Sequence, residues 1–141
     1  MKLYLDTSVL VPLHIEEDNS EAKQAWFQIQ AWSKVTSDFA LAEFNSALSR
    51  LVRKRTMSDL DAAEIRSDFE VWFARSMESV RIESDEVASA AKLVCTPLPK
   101  LLVPDAVHLA LCKRMGYTLV TFDKDLFAIA KREGVDALIP A

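Results

Sequence analysis

Short apolar runs alternate along the chain with longer segments whose apolar residues recur every three or four positions. Leu3, Tyr4 and Leu5 form a brief strand that stops at Asp6. From about residue 20 to residue 33, Ala22, Ala25, Trp26, Ile29 and Trp32 make one stripe, which predicts an amphipathic helix. Val35 and Thr36 read as a second strand leading into a helix for which Asp38 is the expected N-cap. On that helix Ala40, Leu41, Phe44, Ala47, Leu48, Leu51 and Val52 form a continuous buried face. The next helix begins near Ser58, where Ser58 and Asp61 resemble a capping box with Asp in place of Glu; it buries Ala62, Ile65, Phe69, Trp72 and Phe73. Residues 79–82 predict a strand, followed by a helix through Ala91 to about Cys95 and a loop at Pro97, Pro99 and Lys100. Pro104 starts a helix that Gly116 ends, with proline just inside and glycine just past the end. Leu119, Val120 and Thr121 form a strand, residues 125–133 a last helix and residues 137–139 a short final strand. Such alternation predicts an α/β fold with a mainly parallel sheet.

No repeat or linker divides the chain, so residues 1–141 are expected to form a single domain. Half of the residues are hydrophobic and 27% are charged, the composition of a soluble globular protein. A net charge of −4 argues against non-specific coating of nucleic acid but not against a nuclease. No apolar run approaches the roughly 20 residues that span a bilayer. The run from Leu3 to Leu13 contains Asp6 and lacks a small-residue cleavage site, so a soluble, cytoplasmic protein without membrane association is expected. Cys95 and Cys112 are then expected to be free, buried thiols. With only two glycines, Gly116 and Gly134, the chain cannot build a glycine-rich phosphate loop or dinucleotide fingerprint.

Four carboxylates carry the chemistry. In parallel sheets ligands bind outside the carboxyl ends of the strands. Asp6 follows the first strand and Asp123 follows the strand ending at Thr121, while Asp105 sits in the first turn of the helix begun by Pro104. Glu43 lies one turn into its helix, on the flank of the buried face, where a partly desolvated carboxylate needs a partner. Singly, each has a plainer explanation as a cap, a turn or a complement to a helix dipole. Together at one edge, they repel one another unless a cation sits among them. Oxygen-only donors suit Mg²⁺ or Mn²⁺, and such an ion can assist phosphodiester cleavage. His108, one turn after Asp105, either touches this site or packs in the core.

The stretches Leu5-Asp6-Thr7-Ser8-Val9-Leu10, Pro104-Asp105-Ala106-Val107-His108-Leu109-Ala110 and Thr121-Phe122-Asp123-Lys124-Asp125-Leu126 resemble the three sequence signatures of PIN domains. Glu43, within Ala42-Glu43-Phe44, stands where that family places its helical glutamate. The resemblance covers essentially the whole chain and implies a three-layer α/β/α sandwich. It also implies an acidic pocket of Asp6, Glu43, Asp105 and Asp123, with Asp6, Asp105 and Asp123 as metal ligands and Glu43 acting through water. Thr7 or Ser8 would orient Asp6, Thr121 would position substrate or water, and Asp125 is a neighbouring carboxylate that could supplement Asp123. The implied activity is Mg²⁺-dependent endonucleolytic cleavage of RNA. Among the compact bacterial members the chain resembles VapC-type toxins, which implies a small antitoxin protein as partner and a homodimer. Leu126 departs from the pattern, since an aromatic residue often stands there.

Arg50, Arg53, Lys54 and Arg55 cluster at one helix end, where they either meet phosphates or complement the helix dipole. Phe27, Leu60 and Val71 fall off the buried stripes and are candidates for a dimer or antitoxin interface. Other readings of the acidic edge fit less well. An aspartyl phosphatase would want a second aspartate at position 8, which is Ser8, and a receiver-like module would show paired acids after the first strand, where Thr7 follows Asp6. A PIN fold serving only as a binding subunit would not need the complete carboxylate set.

Overall fold

The computed structural model describes residues 1–16, 20–29 and 32–140. Strand β1 (Lys2–Leu5) runs directly into α1 (Thr7–His14), and α2 (Ser20–Ile29) leads to β2 (Ser33–Ser37), α3 (Asp38–Arg53) and α4 (Asp59–Ser76). The chain continues through β3 (Glu78–Val80), α5 (Ser84–Leu93), α6 (Val103–Met115), β4 (Thr118–Val120), α7 (Lys124–Arg132) and β5 (Ala137–Leu138). The strands form one sheet in the order β3-β2-β1-β4-β5, and each neighbouring pair is parallel. From β1 the chain winds outward to β3, then returns to the opposite side of β1 for β4 and β5. The winding reverses beside β1, and a crevice outside the strand ends is favoured at such a point.

Alternation along the strands divides the core in two. Leu3, Leu5 and Val120 face Val9 and Leu10 of α1, Phe44 and Leu48 of α3, and Phe69 and Phe73 of α4. Tyr4, Val35 and Leu119 face the other way, against Ala90 of α5, Leu109 and Leu111 of α6 and Ile129 of α7. The result is the expected three-layer α/β/α sandwich. Phe44 and Phe69 stack with their ring centroids 3.8 Å apart, which fixes α3 against α4. At the end of α6, Gly116 takes the left-handed conformation (φ 72°) that closes a helix at little steric cost.

Several local expectations are corrected. The apolar stretch after Asp6, to which the periodicity assigns no element, is a helix, α1, with Pro12 inside it. Helix α2 ends at Ile29 and Ser33 already belongs to β2; positions 30 and 31 and the Ile29 side chain lie outside the described residues. Ala22 and Ala25 are exposed and Trp32 is 46% exposed, so the packed side of α2 is carried by Trp26 and Phe27. The N-cap of α3 is Ser37, whose Oγ accepts from the Ala40 amide at 3.1 Å, rather than Asp38. Asp38 instead accepts from the amides of Phe39 and Ile82, tying α3 to the segment after β3. Cys112 is buried, but Cys95 is exposed because α5 has ended at Leu93; both are free. Among the described residues, no helix is long and apolar enough to cross a membrane.

Candidate active site

Asp6 is the hub at the reversal point. Its amide donates to the Val120 carbonyl of β4 at 3.2 Å, and its carbonyl accepts from Val9 and Leu10 to start α1. The residue is only 2% exposed. Ser8 Oγ donates to Oδ1 and Thr121 Oγ1 to Oδ2, each at 2.6 Å. The same hydroxyls accept from the amides of Phe122 (2.9 Å) and Asp123 (3.0 Å), stitching the end of β1 to the segment leaving β4. Burial pushes the Asp6 carboxyl above its ordinary pKa; His108 and the two hydroxyls pull it back without cancelling that effect.

Glu43 approaches from the side, on the exposed flank of α3. Thr7 Oγ1 donates to its Oε1 at 2.7 Å, and the same oxygen receives His108 Nε2. His108 is fully buried, and its Nδ1 lies 2.5 Å from Tyr4 Oη, which lies 2.7 Å from Ser37 Oγ. A continuous chain of hydrogen bonds results: the Ala40 amide donates to Ser37 Oγ, and further bonds join Ser37 Oγ to Tyr4 Oη, Tyr4 Oη to His108 Nδ1 and His108 Nε2 to Glu43. Burial works to raise the Glu43 pKa, but the bond and charge of His108 and the Thr7 hydroxyl outweigh it, leaving the carboxyl below its usual value.

Asp105 is half-buried in the first turn of α6, beside Pro104. Its pKa is raised to about 6, first by burial and then by the charges of Asp6 and Asp123, with Glu43 adding and His108 opposing. Asp123 is exposed and caps α7, its Oδ1 accepting from the amides of Asp125 (2.9 Å) and Leu126 (3.0 Å). Asp125 is exposed in the first turn of α7.

The four sequence-predicted acids therefore share one electrostatic neighbourhood, with Asp105 feeling each of the other three. They are not drawn into a tight cluster: among the described residues, no three His, Cys, Asp or Glu side chains form a group that could hold a metal ion. Both oxygens of Asp6 and one each of Glu43 and Asp123 are committed to protein donors. Of the two hydroxyls expected to orient Asp6, Ser8 is the one that donates to it, while Thr7 donates to Glu43; Thr121 also donates to Asp6. The Tyr4–His108 connection to Glu43 went unread in the sequence. Its signals were spacings: Tyr4 lies two residues before Asp6 on a strand, and His108 one helical turn after Asp105.

A family model described as the PIN domain matches residues 3–132. No curated protein matches the chain by sequence. Among solved structures, VapC20 of Mycobacterium tuberculosis, a sarcin–ricin-loop-cleaving toxin, is 18% identical with a TM-score of 0.71, over 89% of this chain and 93% of that one. VapBC2 from Rickettsia felis, solved bound to a DNA fragment from its promoter, is 14% identical with a TM-score of 0.72, over all of both chains. FitAcB from Neisseria gonorrhoeae is 19% identical with a TM-score of 0.71, over 96% of each. At these identities the likeness is one of fold. The family match, in contrast, runs through Asp6, Glu43, Asp105 and Asp123, and by it the chain belongs to the PIN domain family.

Proposed function

We propose that this protein is a Mg²⁺-dependent endoribonuclease, and that it acts in the cytoplasm as the toxin of a type II toxin–antitoxin pair. The observation that carries the reading is that Asp6, Glu43, Asp105 and Asp123 come from four parts of the chain to the sheet's reversal point, where burial and the other three charges push the Asp105 carboxyl to about 6. A site with that excess of negative charge, made of oxygen donors at a sheet's reversal point, fits a hard divalent cation that keeps part of its water shell. Asp6, Asp105 and Asp123, which among the described residues form no direct ligand cluster, would hold the ion partly through its retained waters, and Mn²⁺ would substitute for Mg²⁺. When bound, it supplies charge neutralisation at the phosphodiester and increased acidity of water.

The chain's own residues supply the rest. Ser8 and Thr121 hold the Asp6 carboxylate in one orientation. Thr7 and His108 hold Glu43 ionised through Oε1, and its other oxygen is the proton acceptor for the attacking water. The partner reading draws support from the fold shared with VapC20 and with the VapBC2 and FitAcB assemblies. Leu60, 84% exposed, and Val71, 50% exposed, remain available to a homodimer or antitoxin interface. Phe27 is taken out of that set, since its ring packs 5.4 Å from Trp72.

Purified, antitoxin-free protein is expected to cut RNA only with Mg²⁺ or Mn²⁺ present; undiminished cleavage in excess chelator would overturn the metal reading. The product of an adjacent reading frame is expected to co-purify with the chain and inhibit it. A freely active toxin in that mixture would overturn the toxin reading while leaving the nuclease intact.

A further inference from the structure

A groove of about 520 Å³ opens from the acidic site along α3. Thr7, Ser8, Glu43, Lys23, Arg50 and Arg53 are among the residues that line it. Among the described residues, its charged lining is three cations against the single carboxylate of Glu43, in a chain whose net charge is −4. Glu43, Arg50 and Arg53 lie at intervals of seven and three residues, so they share one stripe of α3. The helix rise places Arg50 about 10 Å and Arg53 about 15 Å beyond Glu43 along its axis.

The cations are available. Among the described residues, none of the three is paired with a carboxylate. The Arg53 guanidinium turns back one turn to donate to Ser49 Oγ at 2.9 Å, toward the N-terminal half of α3 and hence toward the acidic site. Lys23 Nζ sits 4.6 Å above the ring of Phe122, a further lining residue whose amide donates to Ser8 Oγ. Lys54 and Arg55, part of the same basic run in the sequence, do not line the groove.

We infer that this groove is a backbone track for single-stranded RNA, in which Arg50, Arg53 and Lys23 bind successive phosphates of the strand whose scissile phosphate lies at the acidic site. The inference rests on the ribonuclease reading and names how that site takes its substrate. Guanidiniums suit the role because their fork of donors matches phosphate oxygens. The contacts are to backbone, so they position the strand without selecting its sequence.

The test measures binding without cleavage. Fluorescence anisotropy of a labelled single-stranded RNA is followed across salt concentrations in excess chelator, with wild type, Arg50→Gln/Arg53→Gln and Lys54→Gln. Each lost phosphate contact lowers the slope of log affinity against log salt by about 0.7, so the double variant should lose about 1.4 while Lys54→Gln keeps the wild-type slope. An unchanged slope in the double variant, or an equal loss in Lys54→Gln, would overturn the track. So would tighter binding of polyglutamate than of RNA of equal charge, which would assign the groove to an acidic peptide. Absence of cleavage with Mg²⁺ in a parallel assay would count against the ribonuclease reading alone, because the salt slopes are read without it.

Discussion

At the scale of single residues, the site is a set of carboxylates held in different protonation tendencies by different neighbours. Glu43 is kept ionised by Thr7 and by an imidazole that is itself fixed by Tyr4. Removing the Tyr4 hydroxyl therefore loosens His108 and, through it, Glu43. Tyr4→Phe is expected to lower kcat for RNA cleavage on the order of 10-fold, by analogy with partners that orient metal-site ligands, with KM nearly unchanged. A steady-state KM and kcat comparison checks this, and a change confined to KM would contradict it. Asp105 titrates in the opposite sense. Its folded pKa of about 6 lies above its ordinary 3.8, so its contribution to stability is present below the lower value and is lost as pH rises through the upper one. In chelator, wild type is expected to gain on Asp105→Asn between pH 7 and pH 5. The gain should be on the order of 1 kcal/mol once screening at a half-buried carboxyl is allowed for. Glu43 does not confuse this window: its pKa is lowered, so its contribution is lost only on falling below about 4.5. Parallel pH-dependent melts of the two proteins read the difference directly.

At the scale of elements, α3 does two things at once: one face packs and one flank carries Glu43 and the two arginines. The packing face rests on Phe44, stacked on Phe69 of α4 and fully buried. Phe44→Ala should cost about 3–5 kcal/mol and lower activity by unfolding the protein. Ser37→Ala removes the α3 cap and should cost about 1 kcal/mol. It also takes away a hydrogen-bond partner of Tyr4, so its folded fraction should be less active than wild type, which melts and activity measured on the same samples will show. The buried faces of α3 and α4 were legible because their apolar residues recur at helical spacing with polar residues between. Helix α1 was not, since residues 9–13 are uniformly apolar and include Pro12, leaving no polar face to reveal a period. The cap of α3 was misassigned by one residue because Ser37 and Asp38 both suit an N-cap. Only tertiary contact decides it: the Asp38 carboxylate is drawn to the Ile82 amide.

At the scale of the molecule, strand order gathers the chemistry. The positions of Asp6 and Asp123 just past strands were enough to place them at one sheet edge, and parallel pairing of β1 with β4 brings that about. Allegiances among short polar side chains were not legible. Ser8, Thr7 and Thr121 have similar hydroxyls, and which carboxylate each serves is set by how α1, α3 and the end of β4 come together. The central claim is that these carboxylates exist to hold a cation for RNA cleavage rather than to hold the fold together. Asp6→Asn and Asp105→Asn test it most directly, with cleavage in Mg²⁺ and thermal melting in chelator measured on each variant. The account predicts that cleavage is abolished in both while the chelated proteins melt at the same temperature as wild type or higher, since each change relieves repulsion among the remaining acids. Retained cleavage in both variants, or a loss matched by unfolding, would contradict it.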